Sequence, residues 1–98
     1  MLFVAEYELV DRTPPTLGPI TVTSNTASAV IAWTTGEPAS ARVEYGLTLA
    51  YGSTNSSALL RTSHSFNLTG LTPATQYHFR VRVTDTAGNE TASSDRTF

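Results

Sequence analysis

Three observations in the sequence predict an all-β, antiparallel sandwich of about seven strands. Tyr77, Phe79, Val81 and Val83 alternate with His78, Arg80, Arg82 and Thr84, the period of a strand with one buried and one wet face. From Thr16 onward, short runs of the same alternation recur between turn signals. Serine and threonine are abundant while charged residues make up only 14% of the chain, which suits polar-faced strands better than ion-paired surface helices.

Taken in order, Leu2 to Val10 alternates in part, with Phe3, Ala5, Tyr7 and Leu9 sharing one strand face. A helix there would lack a capping residue, so an extended N-terminal arm is expected over 1–15. Pro14-Pro15 ends it as a linker, because consecutive prolines fix φ and remove two donors. Such an arm would add to an exposed sheet edge, as a strap on its own module or as an exchanged strand between two copies.

Within the module, 16–98, Ile20 and Val22 are expected to face inward from the first strand. Ala29, Ile31 and Trp33 face inward from the second, with Trp33 at the centre of the core. Gly36-Glu37-Pro38 is read as the loop that closes it, and Ala41, Val43 and Tyr45 as the inward face of a third strand. Leu47 to Ser63, rich in Ser, Thr and Asn, is expected to hold one short edge strand and a long loop. His64, Phe66 and Leu68 share a parity on the next strand, and Leu71 completes the turn before Tyr77. Asp85 to Asn89 has the residue types of a tight turn, and Phe98 is turned inward from the last strand.

Composition excludes several function classes. The formal net charge is -2 and all six basic residues are arginine, which argues against a nucleic-acid partner needing a dense positive footprint. The absence of cysteine removes disulfides, thiolate metal sites and cysteine nucleophiles together. No apolar run approaches the roughly 20 residues of a membrane helix, and the acidic first ten residues do not read as a signal peptide.

Candidate chemistry is sparse. Ser63, His64 and Ser65 place nucleophile and base types side by side, but strand neighbours point to opposite faces. A metal site at His64 and His78 would need further converging ligands. Asp85, Asn89 and Glu90 supply oxygen donors of the kind calcium takes, without the EF-hand spacing. No catalytic, cofactor or metal residue is therefore assigned. Arg42, Arg80 and Arg82 fall with His78 on one outer sheet face beside Glu44, a patch that could grip an acidic glycan or form ordinary cross-strand ion pairs. Asn55, Asn67 and Asn89 each begin an Asn-x-Ser/Thr triplet, a pattern frequent by chance in a chain this rich in Ser and Thr.

Leu71-Thr-Pro-Ala-Thr-Gln-Tyr77 resembles a tyrosine corner, in which a tyrosine hydroxyl bonds to backbone just upstream and pins a crossover. With Ser28 to Trp33, Val43 to Gly46, His64 to Leu71 and Asp85 to Asn89, it resembles the fibronectin type III domain. The likeness is to the bacterial form and extends to the non-catalytic N-terminal domain of purple acid phosphatases. It implies a seven-stranded, immunoglobulin-like sandwich with strands A, B and E in one sheet and D, C, F and G in the other. It also implies a non-catalytic spacer or docking module of a longer extracellular or cell-surface bacterial protein, beside neighbouring domains such as hydrolases. The alternative is a binding module that recognises a protein or glycan through Glu37 and Asn89, in the B-C and F-G loops, or through Arg42, Arg80 and Arg82. Arg-Gly-Asp is absent, so integrin-style attachment has no residues to rest on.

Overall fold

The computed structural model describes residues 13–98; the expected arm at Leu2 to Val10 lies outside the described residues. Six antiparallel strands run in chain order: β1 (Thr21–Ser24), β2 (Ala29–Gly46), β3 (Ser53–Leu68), β4 (His78–Asp85), β5 (Glu90–Ala92) and β6 (Arg96–Thr97). No helix is present among the described residues.

Two of these strands are long because each passes through both layers of the sandwich. The first half of β2 pairs with β1 and with the second half of β3. Its second half, from Ala39, pairs with the first half of β3 and with β4, which in turn carries β5 and β6. Counting each long strand once per layer, and β5 with β6 as one interrupted edge, recovers the seven-strand arrangement.

The passage corrects two expectations. Gly36-Glu37-Pro38 is a bulged stretch inside β2 and not a loop between two strands, with register shifts between Thr34 and Ala39 and between Ala39 and Ala41. Proline is tolerated there because the bulge leaves Pro38 outside the ladder, where its missing N–H is not called on. The expected long loop before Ser63 is largely strand, since β3 begins at Ser53. The first misreading arises because a bulge uses the same residue types as a turn, the second because strand pairing at a sheet edge is made by backbone groups, which polar side chains leave intact.

Thr35 holds the two strands together where they change layers. Its hydroxyl lies 2.8 Å from the Glu37 carbonyl, 3.2 Å from the Arg61 carbonyl and 3.3 Å from His64 Nε2. With one proton to give, it donates to the nearest carbonyl and is left able to accept from a His64 Nε2–H.

The core follows the parity read from the sequence. Ala29, Ile31 and Trp33 from β2, Phe66 and Leu68 from β3, and Phe79, Val81 and Val83 from β4 are buried, with Ala41 and Val43 beyond the passage. Trp33 stacks on His64 at 5.3 Å between ring centroids and on Phe66 at 5.6 Å. Ile20, Val22, Tyr45 and Phe98 pack against this cluster while remaining partly exposed. Phe98 stacks on Tyr77 at 5.6 Å and tilts against Phe79. The corner is formed as expected, with the Thr72 N–H donating to the Tyr77 hydroxyl at 2.8 Å.

The two ends of the described chain lie at opposite ends of the sandwich. Pro15 is buried and its carbonyl accepts a hydrogen bond from Thr91 Oγ1 at 2.7 Å, beside the β4–β5 turn. Phe98 exchanges two backbone hydrogen bonds with Tyr77, at the start of β4.

Candidate functional site

The outer face of the second layer carries a continuous chain of charges. Antiparallel pairing sets Arg42 of β2 opposite Arg82 of β4, and Glu44 opposite Arg80. Like charges directly opposite repel, so Arg42 against Arg82 requires acids at neighbouring positions. Glu44 is one: its Oε1 accepts from Arg80 Nε at 2.5 Å and from Arg82 Nε at 2.9 Å. Glu90 is the other, brought alongside by the tight β4–β5 turn that pairs it with Thr84. Its Oε1 accepts from Arg82 Nη1 at 2.7 Å, while its Oε2 lies 3.6 Å from Arg42 Nη2.

The chain continues past Arg80. The Arg80 guanidinium sits over the Tyr51 ring, 5.0 Å from its centroid. The Tyr51 hydroxyl donates to Asp95 Oδ1 at 2.9 Å, and Asp95 Oδ2 pairs with His78 Nδ1 at 2.9 Å. Tyr51 takes up this position from a left-handed backbone conformation, φ 61°, in the short turn after β2.

These contacts tune the acids. Burial alone would raise the Glu44 carboxyl, but hydrogen bonds from Arg82 and Arg80 and their charges outweigh it and hold the group below its ordinary value. Asp95 is lowered chiefly by its hydrogen bond with His78, against a smaller opposing effect of burial. Burial lowers His64.

Each of the three binds its proton less readily in the folded state, so the unfolded chain takes up more protons and stability falls with falling pH. The melting temperature is expected to start declining below about pH 6.5, as the unfolded state protonates His64, and to decline further below about pH 4.5, as Glu44 and then Asp95 follow. Melting curves between about pH 3 and pH 8 check this. His64→Gln should remove the first stage and Glu44→Gln should shrink the second.

The structure brings Arg42, Arg80 and Arg82 into one network. Glu37 lies apart from it, half-buried in the β2 bulge, with its carbonyl accepting from Thr35. Asn89 belongs to the β4–β5 turn: its backbone N–H and its side-chain Nδ2 donate to the Asp85 carboxylate at 2.8 and 3.0 Å. The Ala87 N–H is a further donor to that carboxylate, so Asp85 organises the turn. No group of three or more metal-ligating side chains converges among the described residues. His64 is buried against Thr35 and Trp33, whereas His78 pairs with Asp95 on the outer face, so the two histidines are not brought together.

Sequence reasoning missed Tyr51, Asp95 and the role of Glu90. Glu90 could have been found by folding the chain about the Asp85 to Asn89 turn, which sets it against Thr84. Tyr51 and Asp95 meet only through tertiary structure, 44 residues apart.

Beside Arg42 the face is hollowed into an open concavity of about 450 Å³, whose lining includes Ser40, Ser56, Leu60 and Thr84 together with Arg82 and Glu90. It is too open to exclude water from a reacting centre, and among the residues lining it no nucleophile meets a base.

Comparison with known proteins agrees with this architecture. The chain is 38% identical over 89 residues to Endoglucanase B of Cellulomonas fimi, a match covering 87% of this chain and 8% of that protein. The chain thus spans less than a tenth of that relative. Among solved structures, one described as a myokine superposes with a TM-score of 0.73 at 21% identity, covering 88% of this chain and 96% of the other. The sensor domain of the anti-sigma factor RsgI4 of Pseudobacteroides cellulosolvens superposes with a TM-score of 0.62 at 22% identity, covering 90% and 95%. At these identities the structural likenesses show the fold alone. The family model for the fibronectin type III domain matches residues 13–98, and the chain belongs to that family.

Proposed function

We propose that this chain is a non-catalytic module that spaces and docks neighbouring domains of a larger, extracellular bacterial protein. The observation that carries the reading is the placement of the chain ends. The polypeptide enters beside the β4–β5 turn, tied by Pro15 to Thr91, and leaves at the other end of the sandwich, tied by Phe98 to Tyr77. A module entered and left at opposite ends holds its neighbours a fixed distance apart, with rigidity supplied by Trp33, Tyr77 and Phe79 in the core. The Cellulomonas fimi relative supports the multidomain setting, since this chain matches only 8% of it. The proposed likeness to the N-terminal domain of purple acid phosphatases rests on the order of the sequence motifs.

Two fluorescent reporter domains fused to the ends of the chain test the reading through energy transfer. A single transfer efficiency is expected, unchanged by Glu37→Ala, together with no hydrolysis of cello-oligosaccharides by the chain alone. Transfer typical of an unconstrained linker would overturn the spacer role, and so would turnover. A second reading, a binding module, is favoured by the state of Arg42.

A further inference from the structure

We propose that Arg42 and the hollow beside it form a binding site for a uronic acid residue of an acidic polysaccharide, independently of the spacer role. The three guanidinium groups of the outer-face chain, on Arg42, Arg80 and Arg82, have only two carboxylates in contact with them, on Glu44 and Glu90, because Asp95 pairs with His78 and Tyr51. Their hydrogen bonds go to the other two arginines: Glu44 Oε1 takes both Arg80 and Arg82, and Glu90 Oε1 takes Arg82, leaving Glu90 Oε2 at 3.6 Å from Arg42.

Arg42 is left at the end of the chain with one ion contact of 3.6 Å and no hydrogen bond from its guanidinium to any described residue. Its Nε–H is buried with no acceptor, while its side chain as a whole is 43% exposed. The exposed end of this planar guanidinium is matched by a carboxylate, which can take its two terminal donors side by side.

The surroundings select a sugar acid over an acidic protein segment. Ser40, Ser56 and Thr84 put hydroxyls around the hollow, and Ser56 stands directly opposite Arg42 across the β2–β3 pair. Hydroxyls both donate and accept, as the hydroxyls of a sugar require. Leu60, 51% exposed, offers an apolar surface to the C–H face of a sugar ring. No aromatic residue lines the hollow, so it lacks the aromatic anchor that concentrates affinity in a protein–protein contact. At about 450 Å³, the space falls within the range of small-ligand sites.

Titrating the isotope-labelled chain with trigalacturonate, followed by two-dimensional NMR, tests the site. Saturable shifts are expected at the Arg42 Nε–H and at the amides of Ser56 and Thr84. Arg42→Gln should weaken the binding about tenfold or more. Ser56→Glu should abolish it while keeping Arg42, because the new carboxylate takes the guanidinium from across the strand pair. That variant keeps the site testable even if Arg42→Gln does not fold, which spectral dispersion reports. Cellotriose, with no carboxylate, should leave these resonances in place. The proposal is overturned by the absence of saturable shifts, by unchanged affinity in either folded variant, or by equal shifts with cellotriose. Binding of an acidic hexapeptide without binding of trigalacturonate also overturns it, in favour of protein docking.

Discussion

Trp33→Ala is expected to destabilise the chain by about 3–5 kcal/mol, a large share of the roughly 5–15 kcal/mol available to a small domain. Trp33 is 3% exposed and forms the centre of a stack with His64 and Phe66, so its removal opens a cavity where β2 and β3 face each other in the first layer. The stacked side chains come from paired strands and are fixed by backbone register, which limits how far they can collapse into the space. Trp33→Phe should cost far less, about 1–2 kcal/mol, because it keeps a ring in the stack and removes an indole N–H that is buried without an acceptor. Equilibrium denaturation of both variants checks the order. Equal losses would contradict this, showing that the indole itself, and not a ring of any kind in the stack, sets the cost.

Gly46→Ala should be comparably damaging for a different reason. A Cβ built at Gly46 would stand 1.5 Å from the Tyr51 carbonyl oxygen and 2.4 Å from its carbonyl carbon, both backbone atoms that no rotamer change can move. The turn from Gly46 to Tyr51 is closed by a hydrogen bond from the Tyr51 N–H to the Thr48 carbonyl, so it must open to admit a methyl group. A loss of about 3 kcal/mol or more is expected. Opening the turn also displaces the Tyr51 ring from Arg80 and its hydroxyl from Asp95. Gly52→Ala is the control: its φ of +96° disfavours a side chain, but the space is open, and about 1–2 kcal/mol is expected. Chemical denaturation separates the two. A Gly46→Ala loss no larger than that of Gly52→Ala would show that the turn yields easily.

Much of this fold was legible because strand alternation is a local property. Tyr77 with Phe79 to Val83 of β4, Ile31 and Trp33 on β2, and His64 to Leu68 on β3 show their inward parity directly. So does Phe98, whose place is fixed by pairing with Tyr77. The course of the long strands was not legible. Gly36-Glu37-Pro38 carries turn residues yet lies within β2, because a bulge uses the same residue types as a turn. β3 opens on Ser53 to Ser57, all Ser, Thr and Asn, and their pairing to β2 runs through backbone groups that no side-chain pattern reports.

The candidate site divides the same way. The arginines and Glu44 were readable as one face of two strands, since alternation alone puts them there. Which arginine would be left over was not, because that depends on where Glu90, Asp95 and Tyr51 arrive after folding.

The central claim is that this module holds its two chain ends rigidly apart, and a distance measured across it is the most direct test. The chain contains no cysteine, so Pro14→Cys with Thr97→Cys gives two unambiguous sites for spin labels. Both positions are exposed, one beside the β4–β5 turn and the other paired with His78 at the start of β4. Pulsed electron–electron double resonance should return a single narrow distribution near 25 Å, roughly the length of β4 at 3.3 Å per residue. A broad distribution, or one centred well below about 15 Å, would contradict a rigid spacer entered and left at opposite ends.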